Sequence, residues 1–445
     1  MAISGIQIYK MLPQTNCKDC GFPTCLAFAM KLAAKQVELS SCPHVSDESK
    51  TKLAESASPP IRLVSIKSNG HETKAGNEVV LFRHEKTFYN KGGLFIQILD
   101  TTTVDEIQKT TADADAYNVN YVGIDLFLDG FAVVNESGDS EAFTNAVKAV
   151  RAKSSKPIIL VSDNSDAVSA AIKNLDGEAP LINGATPDNW ETMADLAKEH
   201  GAALVASAPT LDELADLTEK IKGKGVEDII LEPTSETLAG SLALATQIRR
   251  LSLKNFRALG YPMIAYPSRA NSAGEEIVAA TQAITKYIGF TVLSEFVPAN
   301  IYPLLVLREN IYTDPQKPIQ VTPGIYEIND PTPDAPLMVT TNFSITYFSV
   351  ANEIEGAGLP AWLLVTDAEG MSVLTAWAAG KFDGERIAKA VKEFNAADKI
   401  SNKTIILPGH VAVLSGDLEE ELPGWTIKVG PREAVDIPTF MKEAL

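Results

Sequence analysis

Four cysteines near the start of the chain are the residues best suited to metal chemistry. They are the only cysteines in the sequence, and Cys17, Cys20, Cys25 and Cys42 give the spacing C-x2-C-x4-C-x16-C. In a reducing compartment, such a cluster serves a metal centre more often than two disulfides. An iron–sulfur cluster and a structural zinc ion both take four thiolates, and the spacing matches neither the zinc-ribbon pattern nor the standard ferredoxin patterns. The sequence therefore predicts a metal site and leaves these two occupants open.

One of these cysteines falls at the start of a predicted helix. Pro23 and Thr24 mark the N-terminus of this helix, and Cys25 lies in its first turn. The apolar residues that follow share one helix face: Leu26, Ala29, Met30 and Ala33. We expect the N-terminus of the helix to point at the metal site, where its dipole stabilises anionic thiolates.

The domain organisation follows from length and from two breaks in the pattern. A chain of 445 residues has room for about three domains at roughly 150 residues each. The segment Ser56–Pro60 has a helix-stopping composition, and six prolines lie between residues 313 and 336. The predicted organisation is a small cysteine domain at 1–57, a central domain at 58–312, a proline-rich linker at 313–336 and a C-terminal domain at 337–445.

The central domain alternates short apolar strands with amphipathic helices. Strands that are apolar throughout indicate a parallel sheet covered on both faces. Eight of them favour a (β/α)8 TIM barrel over an open sheet. The predicted strands are LFIQIL from Leu94, YVGI from Tyr121, PIILV from Pro157, PLIN from Pro180, ALVA from Ala203, DIILE from Asp228, MIAY from Met263 and FTVL from Phe290. The pairs Thr103 with Glu106 and Thr210 with Glu213 predict capping boxes at two of the helices.

The C-terminal domain shows a second α/β pattern. Its predicted strands are LMVTT, AWLLVT, TIIL, VAVL and WTIKV, and helices are predicted at 345–355, from Met371 and at 384–394. This pattern predicts a small doubly wound, Rossmann-like domain. In such a domain, a cofactor lies against the carboxyl ends of the strands.

At this point the residues match a known family. The run NCKDCGFPTCLAFAMKLA, then SCPHVSD, a barrel, a proline-rich linker and a small α/β domain resemble the large (gamma) subunit of the corrinoid/iron–sulfur protein of the anaerobic acetyl-CoA (Wood–Ljungdahl) pathway. The resemblance covers the whole chain. It is most specific in the cysteine segment, because the order and size of two α/β domains are weaker criteria.

The resemblance implies a methyl carrier, a component of a methyltransferase system, with no catalytic residue assigned to this chain. It implies that corrinoid cobalt, as Co(I), accepts a methyl group from a methyltetrahydrofolate-dependent methyltransferase and passes it to acetyl-CoA synthase. A [4Fe-4S] cluster on the four cysteines returns oxidised Co(II) to Co(I) with electrons from a low-potential donor. The resemblance also implies a heterodimer with the small subunit of the family, which helps to cover the corrinoid.

The corrinoid is expected in loops at the carboxyl ends of the C-terminal strands. Small and hydroxyl-bearing residues suit a large flat macrocycle, because backbone can approach it closely and hydroxyls can bond its amide groups. The expected residues of this kind are Thr340, Thr346, Gly370, Met371, Ser372 and Val373. The resemblance adds Glu433 and Ala434. The alternative is that Gly370 and Ser372 merely begin a helix.

The histidines point to the state of the cobalt. Cobalamin domains that bind cobalt through histidine carry the motif D-x-H-x-x-G after their first strand, and the sequence lacks it. Only His410 lies in the last predicted domain, where we expect it to begin a strand. The sequence therefore predicts a corrinoid without protein histidine on cobalt. Such a state eases reduction, because a nitrogen ligand stabilises the higher oxidation states.

Two other functions remain open. An iron–sulfur electron-transfer protein would keep the cluster and lack the corrinoid. A barrel-type pterin-dependent methyltransferase would use polar residues at the predicted carboxyl ends of barrel strands, where barrel enzymes place catalytic groups. Those residues are Asp100, Asp125, Asn183 and Glu232, and such side chains also cap loops and helices.

Charge and hydropathy limit the partners. Lys and Arg number 39 against 57 for Asp and Glu, which gives a net charge of −18. An acidic chain has little attraction for nucleic acid or an anionic membrane surface. No apolar run approaches the roughly 18 residues needed to span a bilayer, and the first residues do not resemble a signal peptide. We therefore expect a cytoplasmic protein that binds neither nucleic acid nor membrane.

Overall fold

The computed structural model describes residues 5–33, 37, 39–46, 49–50, 53, 59–121, 124–235, 237–314 and 319–444. The chain forms two compact units, one of residues 1–118 with 127–312 and the other of residues 119–126 with 313–445. None of the helices in the described ranges is long and apolar enough to cross a membrane. The boundaries of the four segments expected above stay predictions.

The cysteine segment has a small core of its own. It contains helix α1 (Gly5–Met11), helix α2 (Cys25–Ala33) and a single 3₁₀ turn (Leu39–Ser41). The core combines apolar side chains with two of the cysteines, and its buried members are Ile8, Leu12, Cys25, Phe28, Ala29, Cys42, Val45 and Leu53. So small a core stabilises little by itself, which is typical of segments that gain stability from a bound metal.

The rest of the first unit is a closed parallel barrel, as predicted from the strand pattern. Each barrel strand pairs in parallel with its neighbours. In the described chain the barrel strands are β3 (Gly93–Leu99), β6 (Gly130–Val134), β7 (Ile158–Val161), β8 (Leu181–Ala185), β9 (Ala203–Ala208), β10 (Ile229–Pro233), β11 (Met263–Ala265) and β12 (Ile288–Leu293). An antiparallel hairpin of β1 (Val64–Ser68) and β2 (His71–Ala75) contributes Val64, Ile66 and Ala75 to the barrel core.

Helices surround this barrel, and most of them begin directly after a residue whose side chain caps the helix. They are α3 (Val104–Asp115), α4 (Ser140–Arg151), α5 (Ser165–Ile172), α6 (Trp190–His200), α7 (Leu211–Gly223), α8 (Leu238–Leu253), α9 (Ala273–Thr285) and α10 (Pro298–Tyr312). The threonines of both predicted capping boxes cap their helices: the Thr103 hydroxyl accepts from the N–H of Glu106 at 3.4 Å, and the Thr210 hydroxyl accepts from the N–H of Glu213 at 3.2 Å. Each hydroxyl also donates to the carboxylate of the same glutamate, at 2.7 and 2.9 Å.

One predicted barrel strand was wrong. The run YVGI does not enter the barrel: Tyr121 ends the short strand β4 (Asn118–Tyr121), which pairs with β5 (Ile124–Phe127) outside it, and residues 122–123 lie outside the described residues. The second barrel strand is instead β6, in which Phe131, Ala132 and Val133 are fully buried. Both runs are short and apolar, so their composition does not show which of them enters the barrel.

A buried ion pair ties α10 to the start of β3. Arg308 is paired with the carboxylate of Asp129 and donates to the carbonyl of Gly92 at 2.9 Å. Both charged side chains are largely buried. We expect Arg308→Ala to lower the free energy of unfolding by about 3–5 kcal/mol, because Asp129 would remain buried without its partner. Thermal and denaturant unfolding of the purified chain measure this loss.

An exposed ion pair in the same unit provides the control. Lys224 and Asp195 lie 3.2 Å apart, with side chains 35% and 62% exposed. Lys224→Ala should change stability by less than about 1 kcal/mol, since water screens the pair. Equal losses in the two variants would contradict a special contribution from the buried pair.

The second unit contains a twisted sheet with the order β13-β15-β14-β16-β17. Its strands are β13 (Gly324–Ile328), β14 (Leu337–Thr341), β15 (Ala361–Thr366), β16 (Thr404–Leu407) and β17 (Thr426–Val429). Its helices are α11 (Ser344–Ala357), α12 (Val373–Ala378), α13 (Gly384–Glu393), α14 (Ala396–Lys399), α15 (Ser415–Glu421) and α16 (Ile437–Ala444). Strands β14 to β17 are parallel, and β15 and β16 flank β14 on opposite sides. From β14 the chain continues to β15 on one side, and from β16 it continues to β17 on the other side. A crevice therefore lies between the carboxyl ends of β14 and β16.

Two expectations about this sheet were wrong. VAVL is not a strand, because residues 409–414 form a 3₁₀ turn that starts beyond Pro408. The missing strand is β13, which lies inside the segment expected to be a linker and pairs antiparallel with β15. Its sequence GIYEI is short, only Ile328 in it is buried, and the surrounding prolines obscured it.

Candidate cofactor sites

Three of the four cysteines, Cys20, Cys25 and Cys42, belong to one small core, and Cys17 is not part of it. Helix α2 begins at Cys25, as expected, and Cys25 and Cys42 are buried, whereas Cys20 is half-buried and Cys17 is exposed. All four are free thiols. A set of four soft thiolates suits a zinc ion or an iron–sulfur cluster, so the donor chemistry fits the implied group.

Polar groups around the cysteines were not anticipated. His44 lies 2.6 Å from the carboxylate of Asp19, and Cys17, Asp19 and His44 place their ligand atoms within 4.8 Å of one another. The hydrogen bond from His44, followed by that from Cys17, holds the pKa of Asp19 below its usual range. Asn16 also bonds to Cys25. Both Asp19 and Asn16 are part of the cysteine motif, but nothing in the spacing shows which way they point.

A cavity of about 280 Å³ lies at the crevice of the second unit. Its walls come from the carboxyl ends of β14 and β16, the start of α11, the start of α12 and the segment after β17. Six of the eight residues expected at the corrinoid site line this cavity, and they are Thr340, Thr346, Ser372, Val373, Glu433 and Ala434. They come from four separate segments of the chain, which the sheet order brings to one place.

The other two expected residues, Gly370 and Met371, are not part of the cavity lining. Gly370 is buried in a left-handed conformation, with φ of 72°. A side chain there would collide with Gln320, whose Cγ lies 2.8 Å from the position of a Cβ atom. Met371 packs against the hydrophobic core of the unit. Both residues belong to the turn between β15 and α12, and Ser372 is the N-cap residue of that helix.

Asn342 organises this turn, and the sequence analysis did not single it out. It is 1% exposed and follows β14 directly. Its side-chain oxygen accepts hydrogen bonds from the amides of Ala368 at 2.9 Å and Gly370 at 3.0 Å. Its amide nitrogen donates to Asp367 and Gln320, both at 3.2 Å. One buried side chain therefore holds the turn that leads into the cavity wall at Ser372 and Val373.

His410 lies at the cavity, and its expected position was wrong. It does not begin a strand but sits in the 3₁₀ turn after β16, where it lines the cavity. Its ring nitrogen Nε2 is 3.5 Å from the carboxylate of Glu433. β16 ends at Leu407, and Pro408 leads into the turn that carries His410.

The cavity lining fits part of a corrinoid. The hydroxyl of Thr340 is fully buried in the wall and has no hydrogen-bond partner among the described residues. An unpaired buried hydroxyl is costly, and a ligand with amide groups would satisfy it. Ile345 and Leu374 also line the cavity and are 66% and 46% exposed, so apolar surface is available to a macrocycle.

The barrel carries a separate polar network at the carboxyl ends of its strands. Asn183 donates to the carboxylate of Glu232 at 3.2 Å and is bonded to the hydroxyl of Tyr266, and Arg269 pairs with Glu232 at 2.6 Å. Burial raises the pKa of Tyr266 well above its usual value. A groove of about 970 Å³ begins at this network and is lined further along by α8 and α9.

The other two polar residues expected at the barrel, Asp100 and Asp125, are not part of this network. Asp100 lies at the end of β3 and accepts hydrogen bonds from Asn135 and from the backbone and hydroxyl of Ser137, at 2.7–2.9 Å. These bonds fix the loop after β6. Asp125 is not at the end of a barrel strand as expected, because it lies in β5 and bonds to Asn120.

Comparison with known proteins identifies the family of the chain. A family model described as "CO dehydrogenase/acetyl-CoA synthase delta subunit" matches residues 64–441, and one described as "Putative Fe-S cluster" matches residues 12–44. The corrinoid/iron-sulfur protein large subunit of Moorella thermoacetica is 40% identical, and the alignment covers 100% of both chains. The acetyl-CoA decarbonylase/synthase complex subunit gamma of Methanopyrus kandleri is 32% identical over 99% of this chain and 98% of that protein.

Among solved structures, dihydropteroate synthase from Thermus thermophilus matches 57% of this chain and 100% of its own, with 18% identity and a TM-score of 0.40. The relation to the full-length relatives is much closer, since it extends over the cysteine segment, the barrel and the C-terminal sheet together. The chain therefore belongs to the family of corrinoid/iron–sulfur protein large (gamma) subunits, as its cysteine segment and domain order predicted.

Proposed function

We propose that this chain is a methyl carrier that binds a corrinoid at the cavity of its second unit. It would accept a methyl group from methyltetrahydrofolate through a methyltransferase and pass the group to acetyl-CoA synthase. The observation that carries the proposal is the cavity at the carboxyl ends of β14 and β16, with the unpaired hydroxyl of Thr340 in its wall. Ligands of doubly wound sheets bind at this kind of position.

The residues of the cavity would hold and orient the cofactor. When bound, a corrinoid supplies a cobalt ion that takes up and releases the methyl group. The hydroxyls of Thr340, Thr346 and Ser372 would bond its amide side chains. The small side chain of Ala434 would let the segment after β17 approach the cofactor closely, and the exposed carboxylate of Glu433 would accept hydrogen bonds from it at the cavity edge.

We further propose that no protein histidine binds the cobalt. His410 lines the cavity, but its ring is engaged with Glu433 at 3.5 Å. An imidazole ligand would stabilise the higher oxidation states of cobalt and so oppose the reduced state that accepts a methyl group. The role assigned to His410 is therefore to hold the edge of the cavity.

The cysteine segment would carry a [4Fe-4S] cluster on Cys17, Cys20, Cys25 and Cys42. The cluster would take electrons from a low-potential donor and return oxidised cobalt to its reduced state. The nine-residue helix α2 begins at Cys25, so its N-terminal dipole stabilises the negative charge of the thiolates. The small core that includes Cys25 and Cys42 limits the access of water to two of the four ligands.

The implied partners are the small subunit in a heterodimer, the methyltransferase, acetyl-CoA synthase and the electron donor. Ile345 and Leu374 are exposed apolar residues in the cavity lining, and a covering subunit would shield them together with the cofactor. Such shielding protects a reduced cobalt centre from water and oxidants.

Metal analysis and EPR spectra of anaerobically purified protein test the proposal. We expect about four irons and one cobalt per chain, and a Co(II) signal without nitrogen superhyperfine structure. His410→Ala should show the same Co(II) signal, whereas nitrogen superhyperfine structure present in the unmodified protein and absent from His410→Ala would place the imidazole on cobalt. Iron without cobalt would identify an electron-transfer protein, and zinc without cobalt would overturn the proposal. Binding of methyltetrahydrofolate by the chain alone would favour a barrel methyltransferase.

A further inference from the structure

Asn16 joins two of the cysteines through its own backbone and side chain. It directly precedes Cys17, and its side-chain oxygen accepts a hydrogen bond from the backbone N–H of Cys25 at 2.8 Å. In return, the backbone N–H of Asn16 points at the sulfur of Cys25, with an N to Sγ distance of 3.4 Å. The two bonds fasten the loop that carries Cys17 to the first turn of α2.

The loop that carries Cys17 contains three residues with positive φ. Gln14, Asn16 and Lys18 have φ of 58°, 49° and 69°. Asparagine adopts this left-handed conformation more readily than other residues with a side chain, because its short amide can bond to nearby backbone. Asn16 therefore suits both demands of the position, a left-handed backbone and a side-chain cap on Cys25.

We propose that Asn16 is a positioning residue that holds its N–H against the sulfur of Cys25 and thereby raises the reduction potential of the cluster. The inference rests on the proposed function, because it requires an iron–sulfur cluster on the four cysteines. A reduced cluster carries one more negative charge than an oxidised one, so an N–H donor to a ligand sulfur stabilises the reduced form more. The effect is strong at Cys25 because this cysteine is only 6% exposed.

Asn16→Gly tests the inference, and Gln14→Gly is the matched control. Both variants place glycine at a left-handed position of the same loop, but only Asn16→Gly removes the acceptor for the Cys25 amide. Without that anchor the N–H should move away from the sulfur. We expect a cluster midpoint potential shifted to more negative values and an altered EPR spectrum of the reduced cluster in Asn16→Gly. Gln14→Gly should match the unmodified protein in both measurements.

A redox titration of the full chain followed by EPR, with iron analysis of each sample, separates the outcomes. An unchanged potential in Asn16→Gly with iron present would overturn the inference, as would an equal shift in Gln14→Gly. Should Asn16→Gly lose its iron, Asn16→Ala decides, because alanine also lacks the acceptor for the Cys25 amide but leaves the backbone less free than glycine does. A potential shifted in Asn16→Ala supports the inference, and an unshifted one overturns it. Absence of iron from the unmodified protein would instead refute the proposed function.

Discussion

Purified Cys20→Ala protein is expected to retain its corrinoid and to lose its cluster. Cys20 is the half-buried ligand at the edge of the cysteine core, so its removal disturbs packing less than removal of the buried Cys25 or Cys42 would. With three thiolates left, iron should fall from about four per chain to a small residue. Methyl transfer to Co(I) prepared with a chemical mediator should continue at the normal rate. Reduction of Co(II) by a protein electron donor should be lost.

This prediction is tested by measuring the rate of methyl transfer to Co(I) and the rate of Co(II) reduction in the same samples. Thr15→Ala, an exposed position beside the cysteine pattern, is the control and should leave both rates and the iron content unchanged. Loss of both rates in Cys20→Ala, together with a lower unfolding temperature, would mean that the metal supports folding as well. Normal reduction of Co(II) without iron would refute the electron-transfer role of the cluster.

Asn342→Ala is expected to weaken corrinoid binding by about tenfold or more. The substitution leaves the buried amides of Ala368 and Gly370 without an acceptor, at a cost of roughly 1–3 kcal/mol for each. The turn between β15 and α12 should relax to satisfy them, which moves Ser372 and Val373 in the cavity wall. A loss of about 1.4 kcal/mol in the bound state corresponds to the tenfold change. Titration of the cofactor-free full chain with cobinamide measures the affinity.

Asn329→Gly provides the matched control in the same unit. The backbone of Asn329 is left-handed, with φ of 57°. Its side chain donates to the carbonyls of Ile354, Glu355 and Leu359 at and just after the end of α11. Glycine preserves the backbone conformation and removes these bonds. Asn329→Gly should therefore lower stability without changing cobinamide affinity. A loss of affinity in both variants, in proportion to their loss of stability, would count against a specific role for Asn342.

Much of the architecture could be predicted because it follows from local pattern. Seven barrel strands, β3 and β7 to β12, are predominantly apolar and bordered by capping residues or turns, so the sequence pattern alone was enough to find them. The strand β6 was missed because the preceding run YVGI has a similar length and composition. Choosing between two such runs requires knowing which one completes the barrel, and that is decided by closure of the sheet.

The edge strand of the C-terminal sheet was also missed, because its pairing depends on a distant part of the chain. β13 pairs antiparallel with β15 across 32 residues of intervening chain, between Ile328 and Ala361. Its short amphipathic sequence becomes a strand because β15 offers unpaired backbone groups, and proline-rich flanks do not prevent this at an edge. Conversely, VAVL has the composition of a strand but follows Pro408 and Gly409, and the chain turns there instead.

The candidate sites, too, were predicted from the sequence only in part. The type and spacing of the four cysteines by themselves determined a metal site and, through the surrounding residues, the family. Six residues of the cavity were also expected from the carboxyl ends of predicted strands. Only the tertiary structure showed that Asn342 holds the cavity turn, that Asn16 bonds to Cys25 and that His410 lines the cavity. Spacing records which residues are near in the chain, whereas these contacts depend on side-chain direction and on segments that approach only after the sheet and the core have formed.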